Sequence, residues 1–254
     1  MISRHFDLIV SDLCHQSKGS SHASAILIAL ANGRHKIEEL VADVGLNKAR
    51  LLLKINRLAE EAVVVKNGNF YFLKDKLFRY WIKYVFQKRL KDVDFTTDKQ
   101  RKRFKEEFNR CVEEFKVMSR KDFSSRIVEL LHCFDNEAFD LNGRRYKLPT
   151  FREVAPLKIR NEENGSALDA ISARTDGGLW YIVLKKDNFA ESDVSAIIKE
   201  GKRSSPRLER CLIISLTDLD ENAKLKALEE RFWIWNESEL KTLLTLFNKP
   251  YIVR

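Results

Sequence analysis

Asp169 and Lys185 are the residues whose types and spacing could support a reaction in this chain. They lie in two apolar, strand-like runs, Ala167–Arg174 and Leu179–Lys186, joined by the turn residues Asp176-Gly177-Gly178. A carboxylate and a lysine on neighbouring strands suit metal-assisted hydrolysis. In such a reaction a carboxylate would hold Mg²⁺ and a lysine would position or deprotonate the attacking water. The turn decides whether the two meet. A three-residue loop with a left-handed glycine puts Asp169 opposite Lys185, with Ile171 and Val183 on the same face. A two-residue loop puts Leu184 opposite Asp169 and turns Lys185 away, because one step of register exchanges the faces. The three-residue loop is the expectation.

Other chemistries find no support in the sequence. No G-x-x-x-x-G-K-[ST] run cradles phosphate, and no H-E-x-x-H, G-x-S-x-G or G-x-G-x-x-G occurs. Cys14, Cys111, Cys133 and Cys211 stand far apart without a C-x-x-C. They imply reduced thiols and a cytoplasmic protein rather than a zinc ribbon or a disulfide framework. The longest apolar runs, Ala25–Ala31 and Leu179–Leu184, are too short to cross a bilayer, so no membrane partner is expected. A net charge of +9 favours a polyanion such as DNA.

The elements that must position these residues read as a multidomain α+β chain. Residues 1–21 form a leader with one apolar segment and a polar S-K-G-S-S break. Residues 22–78 read as a winged helix-turn-helix. Helices over Ser24–Asn32, Lys36–Asp43 and Lys48–Glu61 precede strands Ala62–Lys66 and Asn69–Lys74 around the turn pair Asn67-Gly68. Asn47 caps the third helix, and Leu51, Ile55 and Leu58 make its buried stripe. Asn47, Lys48, Arg50, Lys54 and Arg57 are left to meet phosphates and base edges in a DNA groove, with Lys66 and Asn67 on the wing. Leu77, Tyr80, Trp81, Tyr84 and Val85 then recur as one face of an amphipathic helix that begins after Asp75. Residues 79–122 form a charged helical linker, whose Arg101–Lys105 stretch could add backbone contacts. Residues 123–254 alternate helices and short strands in the order helix, three strands, helix, strand. The basic loop Lys199–Arg210 follows a helix there and reads equally as a phosphate-contacting edge or a solvated surface.

Two stretches carry a family resemblance. Leu77, Phe78, Arg79, Tyr80, Trp81 and Ile82, directly after a wing, resemble the junction that follows the winged helix of archaeal-type ATPases. The segment SALDAISARTDGGLWYIVLKKDN is similar to the metal-binding strands of the restriction-endonuclease-like, PD-(D/E)xK, domain that such proteins can carry. The resemblance implies a winged helix followed by a restriction-endonuclease-like α/β domain at 123–254, without the ATPase core. It also implies a possible ATPase domain or subunit as partner. It makes Asp169 the metal carboxylate and Lys185 the motif lysine, with Glu129 or Glu153 as a further acid. Two family positions lack oxygen ligands, for Val183 stands where the motif has glutamate and Ala167 where an acid often precedes the aspartate. The expectation is therefore a DNA-binding chain with an inactive nuclease-like domain and no cofactor, Mg²⁺ entering only if the site is active. The alternatives are a Mg²⁺-dependent DNA nuclease with a relocated acid, and a protein-interaction module serving an ATPase.

Overall fold

The computed structural model describes residues 2–15, 20–91 and 97–249. Most of the S-K-G-S-S break lies outside them, as do the side chains of Arg101, Arg103 and Cys14. The chain divides into two compact units, Met1–Met118 and Ser119–Arg254, so the boundary falls near the end of the expected 79–122 linker.

The first unit is built around α2 (Ser20–Ala31), a helix apolar around most of its circumference. Ile26, Leu27, Leu30 and Ala31 are fully buried, as such a helix requires. α1 (Ile2–His15) packs into the same core through Phe6, Val10 and Leu13, so the expected leader is an integral element. α3 (Ile37–Val44) ends at Gly45, whose φ of 71° provides the left-handed cap that only glycine adopts cheaply. α4 (Lys48–Glu60) buries Leu51, Ile55 and Leu58, and the Asn47 side chain accepts a hydrogen bond from the Arg50 amide at 2.9 Å. β1 (Val64–Asn67) and β2 (Phe70–Leu73) form an antiparallel hairpin in which Asn67 pairs with Phe70. The two-residue loop is therefore Gly68-Asn69, one step beyond the expected Asn67-Gly68. Gly68 takes φ 57° at the first loop position. A lone bridge from Lys36 to Phe70, with the Tyr71 amide donating to the His35 carbonyl at 2.9 Å, ties the hairpin to the start of α3.

The aromatic helix turns a different face inward from the expected one. α5 (Lys76–Trp81) runs into a π-helical turn (Ile82–Phe86) and α6 (Gln87–Lys91). Phe78, Trp81, Ile82 and Tyr84 are buried, whereas Leu77 and Tyr80 are exposed. Phe6 of α1 meets Phe78 at 5.1 Å and Trp81 at 5.7 Å between ring centroids, so these rings claim the core and rotate Leu77 outward. The widened turn at Ile82–Phe86 adds a residue to the helical repeat and keeps Tyr84 inward. α7 (Thr97–Arg120) follows as a long charged helix.

The second unit is a five-stranded mixed sheet of order β5-β6-β7-β8-β9. α8 (Phe123–Leu131) and a small hairpin, β3 (Ala138–Leu141) with β4 (Arg144–Lys147), precede it. β5 (Glu153–Arg160), β6 (Ala167–Arg174) and β7 (Leu179–Lys185) are antiparallel. β8 (Leu208–Ser215) and β9 (Trp233–Trp235) continue parallel to β7, reached through α9 (Glu191–Arg203) and α10 (Glu221–Glu229). Both crossover helices share one face of the sheet, where Val194, Ile197, Ala223 and Ala227 pack on Leu168, Ala170, Val183 and Ile213. The other side holds an aromatic layer. Trp180, Trp233 and Trp235 join Phe139 and Tyr146 of the small hairpin, and Phe134 meets Phe247 just past α11 (Glu237–Leu246). β7 is thus covered on both faces, which is why it reads as an almost continuous apolar run.

Candidate functional site

The β6–β7 register places on opposite faces of the sheet the two residues that could have supported a reaction. Asp169 pairs with Leu184, Ile171 with Ile182 and Arg174 with Leu179. The Thr175 amide donates to the Gly178 carbonyl at 2.9 Å, so these residues close a two-residue loop of Asp176-Gly177. The Thr175 hydroxyl accepts from the amides of Gly177 and Gly178 at 3.1 Å each, which selects this short loop over the three-residue one. Strand alternation then sends Lys185 to the face of α9 and α10, and Asp169 to the opposite face.

Each residue is held by a local partner. Lys185 forms an ion pair with Asp193, whose side chain is 0% exposed. Asp193 also accepts from Asn161 Nδ2 at 2.9 Å and from the Ala190 amide at 3.0 Å, closing the first turn of α9. Burial alone would raise the Asp193 carboxyl. Hydrogen bonds from Lys185, the Ala190 amide and Asn161 outweigh it and hold the group below the usual carboxylate range. Lys185 therefore anchors a helix to the sheet. Asp169 is 56% exposed and ion-paired with Lys158, its cross-strand neighbour on β5.

The further acids fall elsewhere. Glu153 pairs with Arg174 at 3.1 Å. It lies five residues along β5 from the partner of Asp169, about 17 Å at strand rise and on the other face. Glu129 on α8 is taken by Lys121. The position beside Asp169 that a metal-binding glutamate would fill is Leu184, a buried hydrocarbon. Among the described residues no group of three or more His, Cys, Asp or Glu side chains could hold a metal ion. This donor set does not fit a Mg²⁺ site, and no hydrolytic step is assigned to it.

On the first unit, the outward face of α4 presents Asn47, Lys48, Arg50, Leu53 and Arg57. Leu53 is 72% exposed between the two arginines. Asn47 Oδ1 is committed to its cap, and Lys48 is bound to Glu38 at 3.2 Å. Lys54 is half-buried and Asn67 partly covered, whereas Lys66 projects from the hairpin with its ammonium 5.8 Å from the Tyr71 ring centroid. Arg50 and Arg57 have no ion-pair partner among the described residues, which leaves their charge available to a ligand.

No family model matches the chain, and a search of curated proteins found no match. Among solved structures, the crystal structure of protein VC1899 from Vibrio cholerae aligns with 94% of this chain and 55% of its own, at 13% identity and a TM-score of 0.28. The chain thus spans about half the length of that protein. A likeness of this size carries no argument about fold or function.

Sequence reasoning missed two lysines near Asp169. One is Lys158, which its cross-strand position would have revealed had β5 been registered. The other is Lys186. It lies just past the end of β7, with its ammonium 5.9 Å from the Phe123 ring centroid at the start of α8. Lys186 lines a cleft of about 490 Å³ together with Asp122, Ser124, Asp169, Asp187 and Lys185, the last turned to Asp193. Asp122 is the cap of α8, and hydrogen bonds from the Ser125 hydroxyl and amide hold its carboxyl below the usual range. The cleft is a charged recess in which Asp169 and Asp122 already have structural partners. No helix of the described residues is long and apolar enough to cross a membrane.

Proposed function

We propose that the chain is a DNA-binding protein whose first unit is a winged helix-turn-helix and whose second is a restriction-endonuclease-like domain that lacks its catalytic set. The observation that carries the binding reading is the outward face of α4. Its Arg50 and Arg57 have no ion-pair partner among the described residues, Leu53 stands between them, and the hairpin bearing Lys66 follows at once. A helix face of this make-up suits a major groove, with cations on phosphates and an aliphatic side chain beside a thymine methyl. The net charge of +9 supports an anionic partner. The order α8, antiparallel β5-β6-β7, α9, parallel β8 supports the nuclease-like reading of the second unit. The separation of Asp169 from Lys185, with Leu184 at the acid position, supports the loss of chemistry.

Fluorescence anisotropy with a labelled duplex tests this reading. The full chain should bind at low salt. Arg50→Ala with Arg57→Ala should lower the slope of log K against log salt by about 1.8, at roughly 0.9 per phosphate contact. Absence of binding at low salt would refute it. A second reading, docking on a partner ATPase, is favoured by exposed Leu53 itself. Under it, Leu53→Ser would abolish capture of the ATPase and leave DNA affinity unchanged.

A further inference from the structure

We infer that the second unit carries its own phosphate-binding cleft, formed by the carboxyl end of α9, the start of β8 and the end of α10, and that it takes the backbone of DNA. This rests on the DNA-binding reading above and extends it to a surface outside α4.

The cleft measures about 740 Å³ and is lined by Lys202, Arg207, Arg210 and Arg231 against Glu209 and Glu230. Its floor is apolar, with Leu208, Cys211 and Phe232. The cations differ in how they are held. Lys199 and Arg203, on the same helix end, are both bound to Glu162 and do not line the cleft. Lys202, Arg207 and Arg231, which do line it, are exposed and have no ion-pair partner among the described residues. Arg210 lies with its guanidinium 4.9 Å from the Trp233 ring centroid, and its buried Nε has no hydrogen-bond partner.

The two carboxylates lower the formal charge of the lining from +4 to +2. Glu209 accepts from Trp180 Nε1 at 3.0 Å and from the Thr175 hydroxyl at 3.1 Å, so it is engaged with the β6–β7 turn. The helix end itself is also closed. The Gly201 carbonyl accepts from the Ser204 hydroxyl at 2.8 Å, which reduces the negative end of the α9 dipole facing the cleft. What remains is a recess with unpaired cations on its rim over a hydrocarbon floor. Such a surface matches phosphates at the rim and sugar below, without base-reading groups.

The test uses the full chain and a labelled duplex of arbitrary sequence. Lys202→Gln, Arg207→Gln and Arg231→Asn are combined; asparagine is chosen because Arg231 has φ 58°, which asparagine tolerates. Loss of three phosphate contacts should lower the salt slope by about 2.7, so raising salt from 50 to 200 mM should weaken binding about 40-fold less than in the wild type. A charge-keeping variant, Lys202→Arg with Arg207→Lys, should retain the wild-type slope and guards against a folding defect. An unchanged slope in the triple variant, in a wild type that binds and responds to the α4 substitutions, overturns the cleft alone. No binding by the wild type overturns the DNA reading and the cleft with it. Competition by inorganic pyrophosphate lost in the triple variant, with DNA affinity unchanged, assigns the cleft to a small phosphate ligand and overturns the DNA assignment.

Discussion

Replacing Lys185 by methionine should destabilise the second unit, and more than replacing its partner does. The Asp193 side chain is 0% exposed and that of Lys185 is 22% exposed. Without the lysine, a buried carboxylate keeps only the Asn161 and Ala190 donors. Breaking a buried pair by removing one partner costs about 3–5 kcal/mol, and the partial exposure of Lys185 places this case near 3. Asp193→Asn keeps an acceptor for the Ala190 amide and leaves a lysine that can reach water, so its cost should be about 1–2 kcal/mol. Urea titration followed by tryptophan fluorescence reads the unit well, since Trp180, Trp233 and Trp235 lie within it.

The pH dependence sharpens the test. In the wild type the folded carboxyl sits below its unfolded value, so its contribution is present above about pH 4 and is lost as pH falls through the folded value. In Lys185→Met the raising effect of burial prevails. The folded value then lies above the unfolded one, and the deficit should shrink on acidification as Asp193 protonates. A Lys185→Met protein within about 0.5 kcal/mol of the wild type at pH 7, or a deficit indifferent to pH, would refute an anchoring role for the pair.

Two further outcomes follow from the geometry. Gly68→Ala should cost about 1 kcal/mol in thermal unfolding of the first unit, because Gly68 holds φ 57° in a two-residue loop; a stabilised variant would contradict that loop. Asp169→Asn should change stability by no more than about 0.5 kcal/mol, since both it and Lys158 are more than half exposed, and a larger loss in urea titration would mean the pair is buried in solution.

α3 and α4 were legible because their signals are local. Asn47 before Lys48 and Gly45 after α3 mark boundaries without reference to anything distant. The rotation of α5 was not legible. Both Leu77 and Phe78 begin acceptable apolar stripes, and the choice is made by Phe6, seventy-two residues earlier in the chain, whose ring packs tilted against Phe78 and Trp81. β3 was overlooked although the turn that joins it to β4, Asn142-Gly143, is a preferred pair and takes positive φ at both positions, 48° and 76°. β9 is three residues long and owes its place to Trp233 and Trp235 in the aromatic layer, a tertiary cause that no local pattern announces.

The separation of Asp169 from Lys185 has a deeper origin. Register is strongly specified where one face of a strand is buried and the other wet, because a slip by one residue then exposes the apolar set. β7 is buried on both faces, so Trp180, Tyr181, Ile182, Val183 and Leu184 carry no parity signal. Only the turn could decide, and there the Thr175 hydroxyl binds two successive amides and fixes the shorter loop. The charged end of the strand was equally uninformative. Lys185 and Lys186 are adjacent, so either register supplies one lysine to each face. The observed register gives Lys185 to the buried carboxylate of Asp193 and Lys186 to the face of Asp169, and both lysines border the cleft at that strand end. A lysine near Asp169 is therefore what the doublet guarantees in any register, and its presence is not evidence of a retained reaction. The discriminating position is the one two residues earlier on the same face. There the chain has Leu184 under the observed register and Val183 under the expected one, and neither provides an oxygen ligand.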